Sequence, residues 1–257
     1  METALHNILE RVRAAAADAT PLRLCGGGSK DFHGLALEGT PLELRPLRGI
    51  ISYEPTELVV TARAGTPLQE LQATLAQAGQ ALAFEPPHFA LGDKQPTVGG
   101  MVAAGWSGPA RASSGAVRDF VLGVEIINGR GELLRYGGQV MKNVAGYDVS
   151  RLMAGSWGTL GVITEVSLKV LPVAPAQATL VFAMDEAQAL EALNRWGGQP
   201  LPLNASCWAQ GQLWLRLCGA QAAVQAACQK LGGERLPDDQ AAALWHSLRE
   251  QQHTWFA

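Results

Sequence analysis

The chain has 257 residues, 47% of them hydrophobic and 17% charged, which suits a globular protein with one large core or two of ordinary size and argues against a disordered tail. Its 20 Lys and Arg face 23 Asp and Glu for a net charge of −3, so no broad positive field exists to hold nucleic acid or an anionic membrane. No run approaches the roughly 18 consecutive apolar residues of a membrane span, and Met1 to Ala19 lacks the apolar stretch of a secretory signal. The expectation is a cytoplasmic protein that meets a membrane only through partners.

Leu5, Ile8, Leu9 and Val12 fall at helical spacing, so residues 4 to 17 are predicted to form an amphipathic helix leading into a strand at Leu22 to Leu24. A loop, Cys25-Gly26-Gly27-Gly28-Ser29-Lys30-Asp31-Phe32-His33-Gly34, follows at once. Strands are predicted near 50 to 53 and 57 to 63. Thr66-Pro67-Leu68-Gln69 reads as a capped helix start, with Leu68, Leu71 and Leu75 on one face and Gly79 as the stop. Arg118 to Val140 reads as a hairpin around Asn128-Gly129-Arg130-Gly131, and Val162 to Val170 alternates as a strand. Pro172 and Pro175 mark a linker at 172 to 177. Beyond it lie a strand at 178 to 183, a helix at 186 to 196, two strands near 203 to 217, a helix at 220 to 231 and a further helix from about Asp238 to Gln251. That β-α-β-β-α order is a ferredoxin-like half-layer.

Glycine clusters carry the chemistry. Successive N–H groups in a tight glycine turn make an anion-binding nest without a basic side chain, and Gly26-Gly27-Gly28-Ser29 supplies one. A plain strand-to-strand turn explains three adjacent glycines equally well. A second block runs Pro96-Thr97-Val98-Gly99-Gly100-Met101-Val102-Ala103-Ala104-Gly105-Trp106-Ser107-Gly108, and a third Gly155-Ser156-Trp157-Gly158-Thr159-Leu160-Gly161-Val162-Ile163-Thr164-Glu165. Glycines 99, 100, 105 and 108 show no helical period, so a loop whose backbone approaches a ligand is predicted rather than a helix N-terminus. On that reading, Val at both 99 and 100 blocks the ligand. The G-x-G-x-x-G fingerprint of a nicotinamide site is not convincingly present.

These blocks, together with Lys142-Asn143-Val144-Ala145-Gly146-Tyr147-Asp148-Val149-Ser150-Arg151-Leu152, resemble the FAD-binding domain of the vanillyl-alcohol oxidase and p-cresol methylhydroxylase (PCMH) type. Within that superfamily the chain is similar to the FAD-binding subunits of bacterial glycolate oxidase complexes. The resemblance covers roughly residues 20 to 172 and extends more loosely to Ala257. It implies an α+β fold: a two-subdomain PCMH-type FAD-binding domain at 1–172, then a partial ferredoxin-like cap at 173–257, expected to be truncated at its C-terminal end. It implies that Gly26, Gly27, Gly28 and Ser29 hold the FAD pyrophosphate. Thr97, Gly99, Gly100, Gly105, Ser107 and Gly108 would run along the diphosphate and flavin, and the Ile163 backbone would face the adenosine or ribityl part. Family members with covalent FAD carry a histidine directly after the glycine pair. Ser29 stands there and His33 comes four residues later, so the FAD is expected to be non-covalent.

By the same resemblance the chain works in a complex that oxidises a small 2-hydroxy acid, glycolate, to a 2-oxo acid, passing electrons to an iron–sulfur subunit beside a catalytic flavoprotein subunit. Related catalytic subunits carry Glu in their G-S-E-G-T-L-G run where this chain has Trp157, a change expected to alter access to the flavin. Two other readings stay open: a stand-alone FAD-dependent D-lactate-type dehydrogenase, and a non-catalytic assembly subunit that keeps the flavin fold. No catalytic residue is assigned. His6, His33, His88, His246 and His253 show no metal-ligand spacing, so no metal is expected. Cys25, Cys207, Cys218 and Cys228 form no C-x-x-C pair and read as reduced thiols, so any iron–sulfur cluster belongs to another subunit. Arg111 and Arg118 read as ligand-reaching or solvated, Tyr147 as flavin-packing or core, and the later tryptophans as cap core or a subunit interface.

Overall fold

The computed structural model describes residues 2–34, 38–138 and 146–256, which fall into two compact units. The first consists of Met1–Leu82, His88–Trp106 and Ala116–Leu171; the second of Ala83–Pro87, Ser107–Gly115 and Pro172–Ala257. A single cut at residue 172 does not describe this division, because two short segments from earlier in the chain pack with the later one. The Gly108 N–H donates to the Phe84 carbonyl (2.9 Å), tying those segments together, and neither carries a periodic pattern from which this pairing is readable.

In the first unit, helix Glu2–Ala17 lays Ile8 and Val12 on Leu42, Leu47, Ile127 and Val162. Burying each such side chain contributes about 1.5–3 kcal/mol, which compensates for ordering a helix only four turns long. Strand Leu22–Cys25 pairs in parallel with Thr40–Glu43. A five-stranded antiparallel sheet runs in the order Ile50–Glu54, Val59–Arg63, Val162–Lys169, Val121–Ile127, Leu133–Gly137. Its Val121–Ile127 strand is buried along its whole length, Glu125 included. That carboxylate is satisfied by Arg135 at 2.7 Å and by the Thr164 hydroxyl, with Arg63 3.5 Å away. The hairpin turn forms because Asn128 Oδ1 accepts from the N–H groups of Arg130 and Glu132. Gln139 and Val140 at the predicted end of that hairpin, and Lys142 to Ala145, lie outside the described residues.

Helix Leu68–Gln77 buries Leu68, Leu71 and Leu75 completely, but its predicted capping box does not form. Thr66 instead exchanges hydrogen bonds with the main chain of Gly49, and Pro67 takes the cap position. A long-range partner has outcompeted the local one.

The second unit has an antiparallel sheet in the order Leu203–Ala209, Gln212–Gly219, Ala176–Ala183, Glu234–Arg235. Sequence reading missed the fourth strand, which completes the ferredoxin-like β-α-β-β-α-β arrangement. Two residues after Gly232-Gly233 are too few to show alternation. Ala178 and Leu180 share a core with helices Glu186–Gly197 and Gln221–Leu231, while the intervening Thr179 accepts a hydrogen bond from Trp245 Nε1 on helix Asp238–Arg249. Period-two alternation thus feeds two helices on one face and one on the other. Trp196 and Trp245 are core residues, Trp208 and Trp214 are half-buried, and Trp255 is exposed.

Candidate functional site

A cavity of about 190 Å³ lies within the first unit, where the loop after Leu22–Cys25 faces the start of helix Val98–Ala104 and the strand beginning at Val162. Of the predicted site residues, Gly26, Gly27, Gly28, Ser29, Thr97, Gly99, Gly100 and Ile163 line it. Among the described residues, the N–H groups of Gly27, Gly28 and Ser29 donate to no backbone carbonyl. Such a run of consecutive N–H groups suits the oxygens of a pyrophosphate. Lys30 adds a cation at the same wall, its ammonium 3.4 Å from the Ser29 hydroxyl and 5.6 Å from the centre of the Phe89 ring. Gly27 is required by close packing, since a Cβ there would fall onto the Gln95 carbonyl.

Helix Val98–Ala104 replaces the predicted loop. Val98, Met101 and Val102 stand at i, i+3 and i+4 and are buried, but over seven residues that include Gly99 and Gly100 the period is too short to stand out; a second readable signal was Thr97, whose hydroxyl accepts from the Gly100 N–H as an N-cap (3.2 Å). The Val98 and Gly99 N–H groups donate to Thr66 and Ala64. The first-turn donors are therefore satisfied by the protein, and the open donors belong to the 26–29 loop. Gly99 is small for a different reason from the one predicted. Its added Cβ would stand 2.6 Å from the Cβ of Ala64, so helix and strand approach closely there.

Gly105, Ser107 and Gly108 are not on the cavity wall. Gly105 ends the helix at φ +67 and abuts Gly155, while Ser107 and Gly108 belong to the second unit. With Gly99 and Gly100, Gly105 and Gly108 lack a helical period in sequence, which suggested one ligand-facing loop; instead Gly105 closes a helix. Arg111 and Arg118 are exposed, and Tyr147 is 98% exposed, packed in no core. Sequence reasoning missed Leu24, Leu44 and Ala64, which form apolar parts of the wall. For Leu24 the signal was its place on the strand that leads into the glycine loop, and for Ala64 the small Ala64-Gly65-Thr66 run directly after a strand.

An aromatic cluster stands at the cavity. Trp157, which lines it, stacks on His33 at 4.8 Å with 26° between the ring planes, and His33 meets Trp106 edge-on at 4.9 Å. Phe32 and Phe89 extend the cluster from Trp106. Trp157 and Phe89 both hold left-handed backbone, at φ +52 and +49. This conformation costs a non-glycine residue about 1–3 kcal/mol and persists where the surroundings impose it, as at ligand sites. For Trp157 the restraint includes its N–H bond to the Ala103 carbonyl at 2.9 Å.

The second unit holds a buried polar cluster. Arg216, 4% exposed, binds Glu85 at 2.7 Å and Asn204, and lies over the Trp245 ring at 4.8 Å. Glu85 also accepts from the Ala110 N–H at 2.9 Å. Burial pushes the Cys207 and Cys218 thiols up, with Arg216 partly opposing this at Cys218, so neither is an activated nucleophile. Among the described residues, no group of His, Cys, Asp and Glu is placed to hold a metal, and no helix is long and apolar enough to cross a membrane.

Comparison with known proteins places these features in a group. The family model for the FAD binding domain matches residues 5–137. The chain is 50% identical over 250 residues to glycolate oxidase subunit GlcE of Escherichia coli, covering 97% of this chain and 69% of that protein. It is 32% identical over 156 residues to a D-lactate dehydrogenase of Anaerostipes hadrus and 31% identical over 158 residues to glycolate oxidase subunit GlcD of Bacillus subtilis. These alignments span 31% and 32% of the two relatives. Among solved structures, alkyldihydroxyacetonephosphate synthase superposes on 96% of this chain and 56% of its own at a TM-score of 0.69 with 17% identity, a likeness of fold alone.

Proposed function

This chain belongs to the FAD binding domain family of oxidoreductases and takes FAD as its cofactor, and from that premise we propose that it is the FAD-binding subunit of a glycolate-oxidising complex. The observation that carries the reading is the 50% identity to GlcE over 97% of the chain, since a match of that extent includes the second unit as well as the flavin domain. In this complex a small 2-hydroxy acid is oxidised to a 2-oxo acid. The partners are a catalytic flavoprotein subunit and an iron–sulfur subunit, and any contact with a membrane comes through them.

Within the chain, the N–H groups of Gly27, Gly28 and Ser29 hold the pyrophosphate, with Lys30 adding charge at the same wall. Thr97 and Gly99 act indirectly, fixing the helix against which the cradle rests. The Ile163 end of the cavity, with Leu24 and Leu44, takes an apolar part of the dinucleotide. A volume of about 190 Å³ lies below the roughly 300–1,000 Å³ usual for ligand pockets, so it takes part of the dinucleotide. The bound flavin supplies a two-electron acceptor. No histidine adjoins the glycine pair, so the cofactor is held non-covalently.

The test is the visible absorption spectrum of the purified chain before and after acid precipitation. Flavin absorbance released into the supernatant is the expected result; flavin remaining in the pellet would overturn non-covalent attachment. For the complex, co-expression with a glycolate oxidase catalytic subunit and an iron–sulfur subunit should give one co-purifying species with glycolate-dependent dye reduction. Three subunits that elute separately would count against the assembly.

A further inference from the structure

Resting on the FAD reading above, we propose that Trp157 is an aromatic platform on which a planar ring of the cofactor stacks, a role specific to chains that carry Trp at this position. Three independent features of the structure converge on it. Trp157 lines the same cavity as the glycine loop, and at the next residue, Gly158, a Cβ would stand 2.8 Å from the Leu24 side chain on the strand that leads into that loop, so the backbone after the indole packs closely on that strand.

The second feature is exposure. Trp157 is 41% and Phe32 63% exposed, in a cluster that continues through Trp106 and Phe89. An apolar group of this size kept in contact with solvent beside a polar cradle marks a surface that something covers. The third feature is rigidity. Trp157 is held in left-handed backbone, its N–H fixed to Ala103, with one ring face on His33 and Trp106 edge-on at 5.6 Å. A ring braced on these sides at the wall of the cavity has little freedom left to lose on binding, which favours stacking by a flat heterocycle.

FAD offers two such rings, the isoalloxazine and the adenine. Stacking against indole is shared chemistry, and the experiment separates them. Purified apo-chain and the Trp157→Leu, Trp157→Phe and Trp157→Gly variants are titrated with FAD, riboflavin and ADP, following flavin fluorescence and calorimetric affinity, with the melting temperature of each variant recorded. One aromatic stack contributes a factor of about 2–12 in affinity, so Trp157→Leu should weaken FAD binding by several-fold while Trp157→Phe stays within about twofold of wild type.

The glycine variant removes the backbone strain together with the ring. Loss of affinity at an unchanged or raised melting temperature therefore supports a platform and cannot be ascribed to unfolding. Bound-flavin fluorescence that is strongly quenched in wild type and regained in Trp157→Leu, with weakened riboflavin binding, assigns the isoalloxazine. Weakened ADP binding with quenching intact assigns the adenine. FAD bound by Trp157→Leu and Trp157→Gly with wild-type affinity and quenching would overturn the platform and leave the FAD assignment standing. A wild-type chain that binds no FAD would overturn both.

Discussion

Two polar sites, one in each unit, are satisfied in opposite ways. In the second, Arg216 is enclosed and every partner is supplied by the protein: a carboxylate from Glu85, an amide oxygen from Asn204 and the face of Trp245. In the first, the loop at 26–29 lines a cavity, and among the described residues the N–H groups of Gly27, Gly28 and Ser29 have no backbone acceptor. A buried cluster that satisfies itself contributes to stability and has no capacity left for a ligand. An open one is unfinished until a ligand arrives. Removing residues from the two should therefore give different phenotypes.

The largest effect is expected from Arg216→Ala, which strands Glu85 in a protein environment and should lower stability by about 3 kcal/mol in urea denaturation. A loss below about 1 kcal/mol would show that the cluster is more solvated than its burial implies. Gly99→Val should follow at about 2 kcal/mol, because the added atoms collide with Ala64, and its FAD loss should accompany melting rather than precede it. A fully stable Gly99→Val chain that has lost FAD would return that residue to direct ligand contact. Thr97→Ala removes a helix cap worth about 1 kcal/mol.

Lys30→Ala sharpens the contrast from the other side. It should leave stability within about 0.5 kcal/mol of wild type but weaken FAD by up to about tenfold at low salt, a difference that shrinks as ionic strength rises. Salt-independent binding in both proteins would remove Lys30 from the pyrophosphate site. The smallest effect concerns Cys207 and Cys218. Their raised thiols should be alkylated by iodoacetamide at pH 7.5 more slowly in the native chain than in urea, and equal rates would contradict their burial.

How far the sequence reveals this architecture depends on whether the determining interaction is local. Leu68, Leu71 and Leu75 and the Asn128 turn each declare themselves within a few residues, and each forms where the pattern puts it. The glycine loop was legible for the same reason. The Val98–Ala104 helix was not, because its Val98, Met101 and Val102 period lasts barely two turns around Gly99 and Gly100, and Gly99 is fixed by packing on the distant Ala64. Nor was the place of Ser107 and Gly108 in the second unit, where Gly108 bonds to Phe84 and packs on Glu85. The Glu234–Arg235 strand exists only through pairing with Leu180 and Val181. Thr66 shows both sides at once, a local cap signal overridden by Gly49 across the chain.

The route of the chain between the units carries a consequence for biogenesis. The backbone passes from one unit to the other five times, at 82/83, 87/88, 106/107, 115/116 and 171/172. A ribosome therefore delivers Glu85, already committed to φ +50 in the finished fold, about 130 residues before Arg216 can neutralise it. At synthesis rates of roughly 5–20 residues per second that is a wait of about 7–26 seconds, during which the 83–87 and 107–115 segments have no sheet to pack on. The first unit must then mature with two loops held in reserve. Nascent chains stalled shortly after residue 172 should consequently be more protease-sensitive at these two loops than anywhere in the five-stranded sheet.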